Sequence, residues 1–368
     1  MARLLALAFV GCAVLASAQA QTPDLQKQWD ALVAAARQEG KIVLLAPPDP
    51  QVRKELPAAF KARFGVTVDY LGGRSTEAAT RLRLERAAGL YTVDVAFAGS
   101  DTLAGVYYPE KMLAPLRDAL ILPDAVDPAK WRAGRLWFTD PEGRYVLRLF
   151  NTVDPAFYIN TQYVKAGEIV AARDLLDPRW KGRISAHDPT VGGAGLGHAT
   201  RFYLALGEDF VRRLYVDQKP MIARDRRQLT DWLLRGSQPI SLDAEQDQVE
   251  RLRQEGLRIE AVYRLADMPG TLSAGVGQMA LFDHAPHPNA AKLFVNWMAS
   301  KEGLEVYARA RGEAPTRSDI DAGSFLPPAI IPQPGGNYFD MHAWETGVTE
   351  RQKVQAVMKE LLKSRGNE

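Results

Sequence analysis

The sequence predicts an α/β protein of two lobes, each a mainly parallel sheet flanked by helices, with two hinge crossings between them. Three observations lead there. Strand-like apolar runs alternate with helical patterns from residue 24 to 99 and again from 183 to 263, the order that strand–helix–strand units leave in a sequence. Between these blocks the runs Tyr145–Phe150 and Ala156–Ile159, separated by Thr152-Val153-Asp154-Pro155, read as the first crossing. Strand-like sequence returns at Gly275–Phe282, after a run at Ile259–Tyr263 that reads as the return crossing. The 368 residues, 46% of them hydrophobic, are enough for two cores. The expected division is residues 1–20 as a leader, 21–147 with 270–368 as the first lobe, and 148–269 as the second.

The leader has a basic Arg3, an apolar run from Leu4 to Leu15, and a small-x-small site at Ala18-Gln19-Ala20. That pattern marks a secretory signal cleaved before Gln21, and its apolar run is too short to span a bilayer comfortably. Cys12 is the only cysteine and lies too early in the leader for lipid attachment. The exported chain then has no thiol, which excludes disulfides, thiol catalysis and thiolate metal sites. Loss of Arg3 takes the net charge from +2 to +1, so no global field favours nucleic acid or an anionic membrane.

In the first block, Leu25, Trp29, Leu32, Val33 and Ala36 share one helix face, and Gly40 ends that helix. A strand at 41–46 runs into Pro47-Pro48-Asp49-Pro50, and a helix over 52–64 is ended by Gly65. A strand at 66–71 runs into Gly72-Gly73-Arg74-Ser75-Thr76 and a helix through Arg86, and a strand at 93–98 runs into Gly99-Ser100-Asp101. Asp49, Arg74, Ser75 and Ser100 are therefore candidate ligand contacts, because open parallel sheets bind ligands off the carboxyl ends of their strands. Three of them have a plainer reading. Ser75 and Ser100 can cap the helices that follow them, and Arg74 can be a solvated loop charge. Residues 104–142 are irregular, with the aromatics Trp131, Trp137 and Phe138; Trp131, Trp137 and Trp180 read as packing residues.

The second block centres on Thr190-Val191-Gly192-Gly193-Ala194-Gly195-Leu196-Gly197. Its glycines follow the run Arg183–Ala186 and precede Leu196, Ala199, Tyr203, Leu206 and Phe210, spaced for one helix face. A strand-to-helix turn of this kind leaves the first helical amides without internal partners and lets an acceptor approach them, so Gly193 and Ala194 are candidate ligand contacts. The spacing misses the dinucleotide fingerprint, because Thr200 stands where a third glycine would be needed. Arg148, set in the apolar strand Val146–Phe150 at the first crossing, and Arg226, at the start of a helix through Leu234, can offer planar donors to a carboxylate or phosphate. Asp243 and Glu245, after a strand at 239–242, can orient a ligand hydroxyl or amine, or cap the helix over 245–254. Asp283-His284-x-x-His287 lacks the further ligand that a metal site needs. No catalytic motif, metal site or cofactor is expected.

Near the end, His287-Pro288-Asn289-Ala290-Ala291-Lys292-Leu293-Phe294-Val295 continues to Ser300-Lys301-Glu302-Gly303. This run closely resembles a segment of the family 1 extracellular solute-binding proteins, and Trp180-Lys181-Gly182-Arg183-Ile184 with the glycine turn is similar to the second domain of that family. The resemblance covers nearly the whole exported chain and is closest to the ferric-ion, thiamine, phosphonate and sugar-phosphate branch. It implies a type II periplasmic binding fold that captures a small solute by closure. It also implies a monomeric periplasmic location and an ABC permease and ATPase as partners. Ferric members of that branch use a histidine, a glutamate and two adjacent tyrosines. The matching positions here fall near Asp49, Gly99, Gln246 and Asp247. The tyrosine pair is absent, which argues against a direct ferric site. The positions that match the family's bridging anion lie close to Gly193, Ala194 and Arg226.

Together these residues point to a receptor for a small organic anion: a carboxylate, phosphate ester or phosphonate. The alternatives are a ferric complex, a cationic solute resembling thiamine or a polyamine, and a secreted hydrolase using His187 and Asp188.

Overall fold

The computed structural model describes residues 22–73 and 75–365. The leader, including Cys12, and the candidate Arg74 lie outside the described residues, as does the side chain of Ser75. In chain order the strands are β1 (Lys41–Ala46), β2 (Thr67–Gly72), β3 (Val95–Ala98), β4 (Leu113–Ala114), β5 (Val146–Arg148), β6 (Thr152–Asp154) and β7 (Phe157–Asn160). They continue as β8 (Ile184–His187), β9 (Met221–Ala223), β10 (Ile240–Ser241), β11 (Ile259–Val262), β12 (Gly270–Ser273), β13 (Gln278–Phe282) and β14 (Tyr338–Asp340).

The first sheet runs β2-β1-β3-β13-β4, with β5 also on β13. Its first three strands are parallel and β13 is antiparallel to its neighbours. Strands β3 and β13 are buried along their whole length, as expected for central strands covered on both faces. One face packs Phe60, Phe97, Phe294, Trp297 and Tyr307, with Phe97 and Tyr307 stacked at 4.8 Å. The other packs Leu45, Ala96, Leu103, Tyr107 and Phe282. The helix Pro288–Ala299 supplies much of the first core; its apolar residues recur at helical spacing, as the sequence implied.

The second sheet runs β11-β7-β10-β8-β9. Here β10, β8 and β9 are parallel, β7 runs against them, and β11, antiparallel to β7, restores their direction at the edge. Both sheets are thus mixed. The parallel strands come from strand–helix units and the antiparallel ones from stretches near the crossings.

Two expected details change. Thr152-Val153-Asp154 is not a break between strands but β6 itself, antiparallel to β12, with β14 parallel to β12 on its other side. This three-stranded sheet joins the two larger ones. Ile259–Val262 is not the return crossing, because it pairs with β7 inside the second sheet. The return is β12, whose Leu272 sits opposite both Val153 and Asp340. A four-residue amphipathic strand does not carry the identity of its partner, and pairing decides the matter.

The last helix, Arg351–Arg365, was expected to follow the first lobe. Its Val354 and Met358, one turn apart, are instead buried in the second core with Leu196, Phe202, Leu214 and Tyr215. An apolar stripe at that spacing must be covered by something, and the helix Ala194–Leu206 covers it. Among the described residues no helix is long and apolar enough to cross a membrane.

Candidate functional site

The parallel strands of the first sheet end at Pro47–Asp49 and Gly99–Asp101, and those of the second at His187–Gly193, Arg224–Arg226 and Leu242–Glu245. The two rims meet. Arg351 donates from Nη1 to Asp101 Oδ1 at 2.6 Å and from Nη2 to the Gly193 carbonyl at 2.8 Å. The other Asp101 oxygen lies 3.6 Å from where a Cβ on Gly192 would stand. The structure therefore shows the gap between the sheets closed, with the glycine turn against the loop after β3.

The glycine turn opens the helix Ala194–Leu206 as expected. Gly193 precedes it at φ +123°, a conformation that side-chain-bearing residues rarely adopt, and no side chain caps the helix start. Gly195 is needed for a different reason: a Cβ there would stand 2.3 Å from the His187 carbonyl oxygen, so the helix start lies directly on the end of β8. Further along the same helix, Arg201 is fully buried and donates to the carbonyls of Pro155 and Ala156 and to Thr271. That pins the helix to both crossing strands.

Asp243 and Arg226 come together beneath this turn. Asp243 is buried, accepts the His187 amide at 2.9 Å, and lies 2.5 Å from His198 Nδ1. Burial pushes its carboxyl up, but His198, the His187 amide and Arg226 outweigh that and hold it below the usual carboxylate value. Burial, then Arg201, pushes the His198 imidazole down, with Asp243 pulling the other way. The Arg226 guanidinium donates to the carbonyls of Asp243 at 3.0 Å and Ala244 at 2.8 Å, with Glu245 at 3.3 Å. Its donors brace the loop after β10, so Arg226 is not an open anion fork, contrary to the sequence expectation. Asp243 likewise acts on its neighbours rather than presenting oxygens outward.

The first-lobe candidates are also engaged. Asp49 caps the helix Pro50–Phe64, accepting the amides of Gln51 and Val52 at 2.9 and 3.0 Å, and pairs with Arg311 at 2.6 Å. Its capping role accounts for it. Arg148 is buried and faces Asp340 with both terminal nitrogens, over the ring of Trp137 at 5.2 Å. An arginine in an apolar strand must face a polar cleft or a partner; Asp340 is that partner, and it takes up both terminal nitrogens. Ser100 is buried, its Oγ 2.9 Å from His342 Nδ1.

His342 had no signal in the sequence. Its Nδ1 also faces the Gln278 amide nitrogen at 3.1 Å, and its Nε2 faces Ser273 Oγ at 3.4 Å. Gln278 Oε1 takes the Thr139 hydroxyl at 2.6 Å, which fixes the amide so that its nitrogen donates to His342. Burial, then Arg148 and Arg351, pushes the imidazole down to about 3, so the ring is neutral. Asp154 on β6, close to the same hinge strands, is pushed up to about 6 by burial, with Arg201 and the Ser273 hydroxyl pulling the other way.

The hydrolase reading gains no geometry. Asp188 accepts Thr190 and Arg224, while the His187 amide goes to Asp243, so the two side chains form no relay with each other. His284 and His287 pair with different carboxylates, Asp283 and Asp94. An open depression of about 640 Å³ lies beside Arg213 and residues 168–179, none of them at the carboxyl end of a parallel strand. Its Arg179 is already paired with Glu168 and Asp177.

Comparisons with known proteins agree with this architecture. The sequence profile of the bacterial extracellular solute-binding proteins matches residues 55–331. No curated protein matches the sequence. Among solved structures, iron-bound HitA from Pseudomonas aeruginosa superimposes with a TM-score of 0.65 at 17% identity, over 87% of this chain and 99% of that one. AfuA from Actinobacillus pleuropneumoniae, with exogenous fructose-6-phosphate bound, gives 0.61 at 19% identity over 87% and 99%. Trichodesmium IdiA (FutA), in complex with iron and citrate ligands, gives 0.62 at 14% identity over 89% and 99%. At these identities the likeness is one of fold: two-lobed periplasmic binding proteins.

Proposed function

This chain belongs to the bacterial extracellular solute-binding protein family, and from that premise we propose that it is the periplasmic receptor of an ABC importer, holding a small organic anion between two closing lobes. The first lobe comprises residues 21–147 and the chain from 270 to the strand β14 and its following turn, and the second comprises 148–269, with the last helix, Arg351–Arg365, packed upon it. The observation that carries the ligand class is the start of the helix Ala194–Leu206. It has no side-chain cap, stands at the interlobe seam, and has the Arg351 guanidinium beside it. Unpaired amides and a helix dipole favour an anion there, and arginine suits carboxylate and phosphate oxygens. The sugar phosphate bound by AfuA is a solute of this chemical class.

Closure follows from differential affinity. A solute that touches Ala194 on one rim and the Gly99–Asp101 loop on the other binds the closed form better than the open one, and shifts the lobes by that difference. Nothing in the arrangement requires bond making.

Thermal melting of the exported protein with fructose 6-phosphate, citrate, 2-aminoethylphosphonate, ferric citrate, thiamine and spermidine tests the assignment. A solute at one hundred times its dissociation constant stabilises by about 2.7 kcal/mol, enough to raise the midpoint by several degrees. The expected result is a rise with a phosphate ester, phosphonate or carboxylate. A rise with thiamine or spermidine and none of the anions overturns it, and a rise with ferric citrate but not citrate replaces it with the ferric-complex reading.

A further inference from the structure

The C-terminal segment touches both lobes. Asp340 pairs with Arg148 on β5, and His342 is lodged between Ser100 and Gln278 of the first lobe. Beyond residue 351 the same chain is helix, with Val354 and Met358 in the second core and Gln355 donating to the Thr190 carbonyl at 2.9 Å. Between His342 and Arg351 the chain therefore crosses the gap a third time, in addition to β6 and β12. Arg351 sits on this crossing with a side chain only 12% exposed, and holds Asp101 of one rim and the Gly193 carbonyl of the other. Gly197 leaves the room it lies in, since a Cβ there would be 3.0 Å from Arg351 Nη2.

We propose that this segment is a strap and that Asp101–Arg351–Gly193 is its latch, holding the cleft closed before any solute arrives. The idea rests on the reading of the chain as a closing two-lobed receptor, but not on which solute it takes. Three features support a latch over an incidental surface pair. The guanidinium is largely withdrawn from water, so its partners are worth more than those of an exposed ion pair. One of its contacts is to a backbone carbonyl, which cannot swing away. Both ends of the strap are anchored in buried structure, so Arg351 cannot follow Asp101 if the lobes part. A receptor with such a latch presents a solute with a mostly closed population, and the solute must exchange the Asp101 contact for its own.

Small-angle X-ray scattering of the exported protein, stripped of co-purified solute by unfolding and refolding, reads this directly. The wild type is expected near the compact radius of gyration for the exported chain length, about 20 Å. Arg351→Gln and Asp101→Asn are each expected to give a larger radius, with melting curves that remain cooperative. The wild type in 1 M sodium chloride should move the same way, since the Asp101 end of the pair is open to screening. Identical radii for the wild type and both variants would overturn the strap, as would a wild type already as expanded as the variants. Asp101→Asn changes a half-exposed group, so it keeps the test valid if Arg351→Gln disturbs the packing of the last helix. No solute is present in the measurement, so its failure leaves the anion assignment standing, and failure of the melting screen leaves the strap standing.

Discussion

Two helices begin at facing rims of the molecule, and they begin differently. Pro50–Phe64 starts under Asp49, whose carboxylate accepts two of its first amides and is itself paired with Arg311. Ala194–Leu206 starts under Gly193 with no side-chain acceptor at all. In the sequence both look like polar or glycine-bearing loops after a strand. In the structure a side chain caps one helix start, and none among the described residues caps the other. On the proposed reading, a ligand is useful where a helix start has no side-chain acceptor, and not wherever polar residues gather at strand ends.

The largest test of the contrast is to place a fixed negative charge in the first turn of the second helix. Ala194 is only partly buried, and Ala194→Asp would place a carboxylate at the open helix start. Like-charge opposition across a closed site costs several kcal/mol, so affinity for an anionic solute should fall by about a hundredfold or more by calorimetric titration. Ala194→Asn should lose far less. Without solute the Asp variant should melt at or slightly above the wild type, since an acidic group there is worth about 0.3–1 kcal/mol to the helix.

Next in size is Gly195→Ala. The added carbon meets the His187 carbonyl, and overpacking of this kind costs about 1–3 kcal/mol, readable as a lower urea midpoint. The third test concerns the internally satisfied rim. His342 is neutral when folded, with its pKa pushed down to about 3 from 6.5. Below pH 6.5 the unfolded chain takes up a proton that the folded one refuses, so stability present above that pH is lost as pH falls toward 3. At pH 5.5 the loss is about 1.4 kcal/mol. The melting temperature of the wild type should therefore drop more between pH 7.5 and 5.5 than that of His342→Gln. Asp154, which titrates near 6 in the folded chain, is present in both proteins and cancels in the difference. Smallest is Asp49→Ala, expected to cost about 1 kcal/mol of stability through the lost cap while leaving anion affinity within about twofold. A large loss of affinity there would erase the distinction between the two rims.

Much of the scaffold was legible in the residues. The strand–helix alternation, the glycine turn and the amphipathic helix at 288–299 follow from periodicity and from the few residues able to make tight turns. What was not legible is pairing. Arg148 in an apolar strand signalled that a charge needed a partner, but nothing near it in sequence named Asp340, 192 residues away. Arg226 looked like an anion donor because a guanidinium gives no hint that backbone carbonyls will occupy it. Arg351 and His342 lie in a tail whose only local signal is helical spacing, yet they reach the seam. Asp101 was the accessible clue, standing directly after Gly99-Ser100 in a loop already singled out. Capping was legible only as a type of role: Gly99, not Ser100, holds the cap position, Ser100 Oγ faces His342, and the capping side chain is Asp49; contacts across a hinge depend on the completed fold.

Amide hydrogen exchange, with and without a solute that raises the melting temperature, tests the central claim most directly. The account predicts simultaneous slowing at Gly193–Leu196 and at Gly99–Asp101, because one ligand must touch both rims. Slowing confined to one lobe, or centred on the depression beside Arg213, would contradict it.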